Sequence, residues 1–181
     1  GTTVVSNIFL AAAVAGLRSG IVPQRPLTSL SVAGPTKIDT LTPQQMDTIA
    51  EQGILIVASD TAGNIYIRHG LTSNMTDIMY REESIRSNID TLSYYFYNLM
   101  APFKGQLVMT PESLEALRVT LVNAINALRS SESSNVYLGG ILVGGEVIEL
   151  GPHEVIRDRL VIKMRCIIPS IANGIDITLY F

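Results

Sequence analysis

The sequence predicts an α/β chain of the α+β kind, with helices packed on a mixed, mostly antiparallel sheet and an extended strand at the C-terminus. Three observations predict it. The patterns run helix, helix, hairpin, two long helices, strands, an order that suits helices covering a sheet. The two long helical stretches repeat apolar residues three and four apart. The closing stretch, residues 158–181, alternates apolar and polar residues on either side of a breaker, as half-buried strands do.

Composition supports a folded domain and narrows its partners. The 181 residues are 47% hydrophobic and 16% charged, enough for one sizeable domain or one and a fraction. The positive mean hydropathy is high for a free-standing monomer and predicts surface buried against partners. A net charge of −3 leaves no basic excess to neutralise phosphates, so no nucleic-acid partner is expected. The single cysteine, Cys166, excludes a disulfide framework and fits a reducing compartment.

The apolar opening, residues 4–17, is too short to span a bilayer and lacks a basic leader, so no membrane partner is expected. Residues 6–17 read as a buried helix, whose Ala11, Ala12, Ala13, Ala15 and Gly16 suit close packing. A start at Gly1-Thr2-Thr3, without Met, predicts a piece of a longer protein. Residues 19–35, with Pro23, Pro26 and Pro35, form an extended connector. At Thr42-Pro43-Gln44-Gln45 a helix starts. Thr42 caps, Pro43 takes the first helical position, and Gln45 reaches back as in a capping box. Met46, Ile49 and Ala50 form its inward stripe, and Gly53 ends it.

Residues 54–58 are a continuous apolar run, predicted to be a strand buried on both faces. Residues 60–64 turn, and 65–68 return as the second strand of a hairpin. A loop, 70–77, precedes the first long helix, which carries Ile85, Ile89, Leu92, Phe96 and Leu99 inward and stops at Pro102 and Gly105. The second opens at Thr110-Pro111-Glu112 and places Leu114, Leu117, Leu121, Ile125 and Leu128 on one face. A polar tip at 130–135 leads to a glycine-rich strand region, 136–150, and a polar connection, 151–158. In the strand that follows, Leu160, Ile162, Met164, Cys166 and Ile168 share one face, against Arg159, Lys163 and Arg165 with Val161 and Ile167. Pro169, Asn173 and Gly174 make a hinge. The final strand presents Ile175, Ile177, Leu179 and Phe181 on one side, alternating with Asp176, Thr178 and Tyr180. Such a strand can fold back onto its own sheet or reach a neighbour's.

Little in the chain suggests chemistry. His69 and His153 are the only histidines, and neither is spaced with Cys166 as a nucleophile and base would be. Both read as loop or interface residues. Asp39 and Asp60 read as cap and turn residues, and no cluster has metal-ligand spacing. The glycines between 139 and 145 lack a following Gly-Lys-Ser/Thr and open no helix, so they mark bulges or close backbone approach rather than a phosphate loop. Arg81, Glu82, Glu83 and Arg86 read as the solvated first turn of a helix. In Tyr94-Tyr95-Phe96-Tyr97 a helix needs only one or two rings inside, so the rest form a packing or assembly surface. No catalytic residue, metal or cofactor is expected. The competing possibility is an α/β enzyme or ligand-binding domain, for which a pocket joining Asp60, Arg68 and His69 would speak.

In order along the chain, several stretches resemble contractile tail sheath proteins of long-tailed phages and phage-tail-like particles. They are Ala15-Gly16-Leu17-Arg18 with the connector to Gly34, Leu41-Thr42-Pro43-Gln44-Gln45-Met46 through Gly53-Ile54-Leu55-Ile56, and Ile65-Tyr66-Ile67-Arg68-His69-Gly70-Leu71-Thr72. Tyr80-Arg81, Pro102-Phe103-Lys104-Gly105 and the final pair of strands follow. The third stretch stands where the family carries Trp-Gly-x-Arg-Thr, and this chain has no Trp.

The resemblance implies the C-terminal half of a non-enzymatic structural subunit that self-assembles as stacked sixfold rings around a tail tube. Its contraction would drive the tube through a host envelope, as in genome ejection and host cell entry, in a virion tail sheath assembled in the host cytoplasm. Tailocin and secretion-type sheaths are included in the likeness. Partners would be further copies of itself, the tube protein, and baseplate and tail terminator proteins. Residues 1–36 would belong to the interface with a preceding domain, 37–168 to the conserved sheath domain, and 169–181 to an arm. In the family, such arms add strands to a neighbour's sheet, which casts Ile175, Ile177, Leu179 and Phe181 as an inter-subunit strand hinged at Pro169, Asn173 and Gly174.

Overall fold

The computed structural model describes residues 6–129, 138–156 and 158–169. Its elements are α1 (Asn7–Ser19), α2 (Pro43–Glu51), β1 (Ile56–Ser59), β2 (Ile65–His69), the single turn α3 (Ile78–Arg81), α4 (Glu83–Met100), α5 (Pro111–Arg129), β3 (Gly144–Pro152) and β4 (Leu160–Ile167). The expected α+β class holds. Among the described residues the strands form two separate two-stranded antiparallel sheets, β1–β2 and β3–β4. The chain divides into two compact units, with the boundary inside α4 between Ser87 and Asn88.

In the first unit, local chemistry sets most of the ends. Thr42 Oγ1 accepts from Gln45 N at 3.3 Å while Thr42 N donates to Gln45 Oε1 at 2.8 Å, the predicted capping box. Asp60 closes the β1–β2 turn by accepting from Ala62 N, Asn64 N and Asn64 Nδ2 at 2.8–2.9 Å. These bonds, led by the one from the Asn64 side chain, hold its carboxyl below the usual 3.8. β1 lies against β2 with Val57 opposite Ile67 and Ser59 opposite Ile65. On the other edge of β2, residues 29–32 add a third, irregular strand. Val32 N donates to Ile65 O, Ile67 N to Leu30 O and Ser29 N to Ile67 O, at 2.7–2.9 Å.

The core of this unit is Leu27, Val32, Ile65 and Ile67, roofed by Leu10, Ala13, Val14 and Leu17 of α1 and joined by Leu55 and Val57. Ile56 and Ala58 are also buried, so β1 is enclosed on both faces, but the expected strand over 54–58 is corrected at its start, since β1 begins at Ile56 and Ile54 is 50% exposed. The expectation of a buried α1 is corrected. Its 10-13-14-17 stripe alone meets the core, while Ile8 is 75% and Phe9 65% exposed. A helix roofing a narrow ladder has only one face to bury.

The second unit is built around α5. Thr110 and Ser113 cap each other reciprocally, with Ser113 N to Thr110 Oγ1 at 3.2 Å and Thr110 N to Ser113 Oγ at 3.0 Å. Leu117, Leu121, Ala124, Ile125 and Leu128 of α5 are buried with Leu92 and Phe96 of α4 and with Ile141 and Leu142. β3 and β4 close the core from the other side. Leu160, Ile162, Met164 and Cys166 face inward as predicted, and burial pushes the Cys166 thiol up from its ordinary 9.0.

β3 starts later than the glycine-rich run suggests, at Gly144, because residues 138–140 turn and Ile141 and Leu142 enter the core as loop. Its register slips between Val147 and Glu149. That bulge puts two residues opposite one, so Val147 and Leu150, three apart, both face the core. Gly145 has no room for a side chain, since a Cβ there would lie 2.9 Å from Arg165 O and 3.1 Å from Ile125 Cγ2.

Gly53 ends α2 at a φ of +74°, and an added Cβ would lie 2.7 Å from Thr72 O. Gly53→Ala should therefore destabilise the protein by more than about 1 kcal/mol, since both backbone strain and the clash oppose it. Urea denaturation checks this, and an unchanged midpoint would contradict it.

Candidate assembly surfaces and an ionic pocket

Arg18 closes α1 and holds together three parts of the first unit. Its Nε lies 3.0 Å from Glu83 Oε1 at the start of α4. Nη2 donates to Ser87 Oγ at 2.7 Å and to Pro23 O at 2.8 Å, and Nη1 to Arg25 O at 2.9 Å. The planar fork of a guanidinium can serve four acceptors at once, and an ammonium cannot. Glu83 and Glu82 are thus not the solvated helix turn expected from sequence. Glu82 Oε1 meets His69 Nε2 at 2.8 Å in a part-buried pair. Burial raises the Glu83 carboxyl above its ordinary 4.5, opposed by Arg18 and reinforced by Glu82.

A cavity of about 370 Å³ opens on the same unit, lined by Thr28, Asp47, Ala50, Glu51, Ile54, Ile56, Arg68, His69 and Arg81. One wall is apolar, and the other mixes Arg68, His69 and Arg81 with the acids Asp47 and Glu51. Arg68 Nη2 is held by Asp47 Oδ1 at 2.7 Å and His69 by Glu82. The Nε of Arg81 is buried without a hydrogen-bond partner. The cavity brings together Arg68 and His69, two of the three residues a ligand-site reading requires. Asp60, the third, caps the β1–β2 turn and does not line it.

In the second unit the exposed face of the β3–β4 hairpin alternates charge pairs with apolar side chains. Glu146 Oε1 pairs with Arg165 Nη2 at 2.5 Å and Glu149 Oε2 with Lys163 Nζ at 2.6 Å, beside exposed Val143, Ile148 and Ile167. Its tip is held by His153. His153 N donates to Arg159 O at 2.7 Å, and its Nδ1 accepts from Val155 N at 3.1 Å and Ile156 N at 3.2 Å. That is the loop role expected of it. On α4, Tyr95 and Phe96 pack on the core edge to face, with centroids 5.4 Å apart, while Tyr94 and Tyr97 are 71% and 70% exposed. The aromatic cluster divides between core and surface as predicted.

Of the strand and hinge residues predicted from sequence, Ile175, Ile177, Leu179, Phe181, Asn173 and Gly174 lie outside the described residues. Pro169 ends the described chain just after Ile168, which packs on the core. Among the described residues no three His, Cys, Asp or Glu side chains are placed to hold a metal, and no helix is long and apolar enough to cross a membrane. Sequence reasoning missed Arg18 as a four-acceptor hub and Arg81 as a pocket residue. The only local signal was an arginine at a helix end and another beside two glutamates.

No protein-family model matches the chain, and no curated protein matches it in sequence. Solved structures do match. The fold is similar over 96% of the chain to a chain in the sixfold-symmetrised cryo-EM structure of the anti-feeding prophage baseplate, with a TM-score of 0.74 and 14% identity. It is similar over 94% to a chain in the contracted helical sheath of the same prophage, with a TM-score of 0.73 and 11% identity. The crystal structure of a sheath tail protein from Desulfitobacterium hafniense matches over 92%, with a TM-score of 0.66 and 12% identity. The chain spans 49% of the first two chains and 42% of the third, about half of their length. At these identities the likeness is one of fold.

Two expectations follow from the Arg18 cluster. Arg18→Lys should cost about 2 kcal/mol, because hydrogen bonds to a charged group are worth about 1.5–3 kcal/mol and lysine cannot reach all four acceptors. A denaturation midpoint equal to the parent's would refute the hub. For Glu83, a folded-state pKa above the unfolded one means that the folded state binds the extra proton. Its contribution therefore stabilises as pH falls through the window just above 4.5. The stability of the parent minus that of Glu83→Gln should fall as pH rises through that window. A flat difference would show that Glu83 is not held up by burial.

Proposed function

We propose that this chain is the C-terminal part of a structural subunit that polymerises into a contractile sheath around a tail tube, whose contraction drives the tube through a host envelope. The observation that carries the reading is the fold match over 92–96% of the chain to chains from an anti-feeding prophage particle and a sheath tail protein. On this reading the chain has no catalytic task and needs no cofactor. Its partners are further copies of itself in stacked sixfold rings, the tube protein, and baseplate and terminator proteins. It works in a virion tail, or in a tailocin or secretion-type particle, after assembly in the host cytoplasm.

The architecture supports assembly through strand edges. β1, β3 and β4 each have one side that pairs with no strand among the described residues. An added strand makes backbone hydrogen bonds worth about 1 kcal/mol each and buries alternate side chains for register. Pro169 has no N–H to continue the β4 ladder, which suits a break there between core strand and arm. We assign residues 1–36 to an interface with a preceding domain, 37–168 to the sheath domain, and 169–181 to the arm. In the arm, Ile175, Ile177, Leu179 and Phe181 pair with a neighbour, and Pro169, Asn173 and Gly174 are the joint.

Removing residues 171–181 from the full-length protein should leave the circular dichroism and the melting transition of a folded subunit but no striated tubes in negative-stain electron microscopy. Tubes of normal length from the truncated protein would sink the arm assignment.

A further inference from the structure

Helix α1 breaks the pattern of a surface helix. Its single charged residue, Arg18, is turned inward to Glu83 and Ser87. From Ile8 to Gly16 the helix holds no polar side chain. Leu10, Ala13, Val14 and Leu17 meet the core of the first unit. The opposite arc, Ile8, Phe9, Ala11, Ala12, Ala15 and Gly16, is exposed among the described residues. At the spacing of an α-helix these six positions span roughly 160° of its circumference. A surface helix carries charged and polar residues on that arc, and a helix that is apolar all round is a buried one. Gly16 points the same way. Inside a helix, glycine is less favourable than alanine. Nothing among the described residues requires it there, since a Cβ at Gly16 would meet no atom within 4 Å. A close neighbour on the outer side of α1 would require it.

We infer that the outer arc of α1 docks in an apolar seat on the remainder of the subunit's own chain. The solved chains of the same fold are about twice as long as the stretch matched, which is 49% of each of the first two. This rests on reading the chain as the C-terminal part of a longer subunit, and it deepens that reading by naming the docking face as α1 rather than the connector after it. Size separates a tethered occupant from a second copy. A helix of 13 residues is a rod about 20 Å long and about 10 Å across, so the arc offers roughly 400 Å² of accessible surface. A stable complex of separate proteins buries about 800 Å² on each partner. A contact within one chain needs less, because tethering supplies an effective concentration in the millimolar range. A bilayer fails as the occupant, since a rod of about 20 Å does not cross a hydrocarbon core of about 30 Å. Nor has α1 the charged face with which a helix lies in a membrane surface.

Thiol labelling tests the docking on the 181-residue chain and on the full-length subunit, both dilute enough to stay monomeric and both in a Cys166→Ala background. Ile8→Cys should react freely with a maleimide in the 181-residue chain and roughly tenfold more slowly in the full-length subunit, because a buried thiol is inert. Val155→Cys, 82% exposed on the second unit, should react equally in both. Gly16→Leu, for which the 181-residue chain has room, should leave that chain's melting temperature unchanged or raise it. In the full-length subunit the same substitution should undo the protection of Ile8→Cys. Equal labelling of Ile8→Cys in the two proteins, or protection indifferent to Gly16→Leu, overturns the inference. Protection that appears in the 181-residue chain as its concentration rises, with a matching rise in mass by sedimentation, would make a second copy the occupant and overturn it too. Striated tubes from a full-length protein whose monomer leaves Ile8→Cys freely reactive would overturn the docking and leave the sheath reading standing. Protection in a full-length subunit that forms no tubes would keep the docking and sink the sheath reading.

Discussion

A two-stranded antiparallel ladder is not stable alone in water, and both units of this protein are shaped by that constraint. Each ladder has to bury a face under helices, and each sequence compromise is made where ladder meets helix. In the second unit, α5 lays Leu117, Leu121, Ile125 and Leu128 over the hairpin. Gly145 gives up its side chain so that Ile125 can approach. The bulge after Val147 spends one residue to turn Leu150 back toward the core. In the first unit the ladder is shorter, so it takes on residues 29–32 as a third member and a single stripe of α1 as its roof.

Apolar packing of this kind leaves polar groups stranded, and the first unit handles them with ions. Arg18 answers the carbonyls of Pro23 and Arg25, where the connector leaves α1. It also offsets part of the desolvation of Glu83, though not all of it, since that carboxyl is still pushed up. Along α4 the buried line runs Ser84, Asn88, Leu92, Phe96, each four residues after the last. The apolar half belongs to the second unit's core. The polar half keeps the same spacing, and Ser84 Oγ and Asn88 Oδ1 are buried there without partners. An unsatisfied buried polar atom costs roughly 1–3 kcal/mol, so α4 carries a weakness along the line that continues its strongest packing.

What could be read from sequence is what local chemistry decides. The Thr42 capping box, the Asp60 turn and the alternation of β4 each involve residues within a few positions of one another, and each stands as expected. Features that depend on distant partners were not legible. Residues 29–32 look like a proline-rich connector, and only pairing with β2, more than 30 residues on, makes them a strand. Composition suggested that α1 was buried, but alanines and glycine suit an exposed helix face as well as a packed one. Arg68 and His69 are neighbours in sequence, whereas Asp47, Arg81 and Glu82 join them only through the fold.

On the proposed assembly reading, the exposed face of the β3–β4 hairpin is a surface that a neighbour could cover. Four charged side chains there would normally oppose being covered, because an unpaired buried charge is costly. Here Glu146 meets Arg165 and Glu149 meets Lys163 across the ladder. The charges are matched within the hairpin, leaving Val143, Ile148 and Ile167 as the net offer of the surface. A neighbour can cover such a face without supplying counter-charges in register. Main-chain pairing at an edge is likewise indifferent to most side chains. Both kinds of contact tolerate a change in the angle between subunits better than a fixed lattice of inter-subunit salt bridges would.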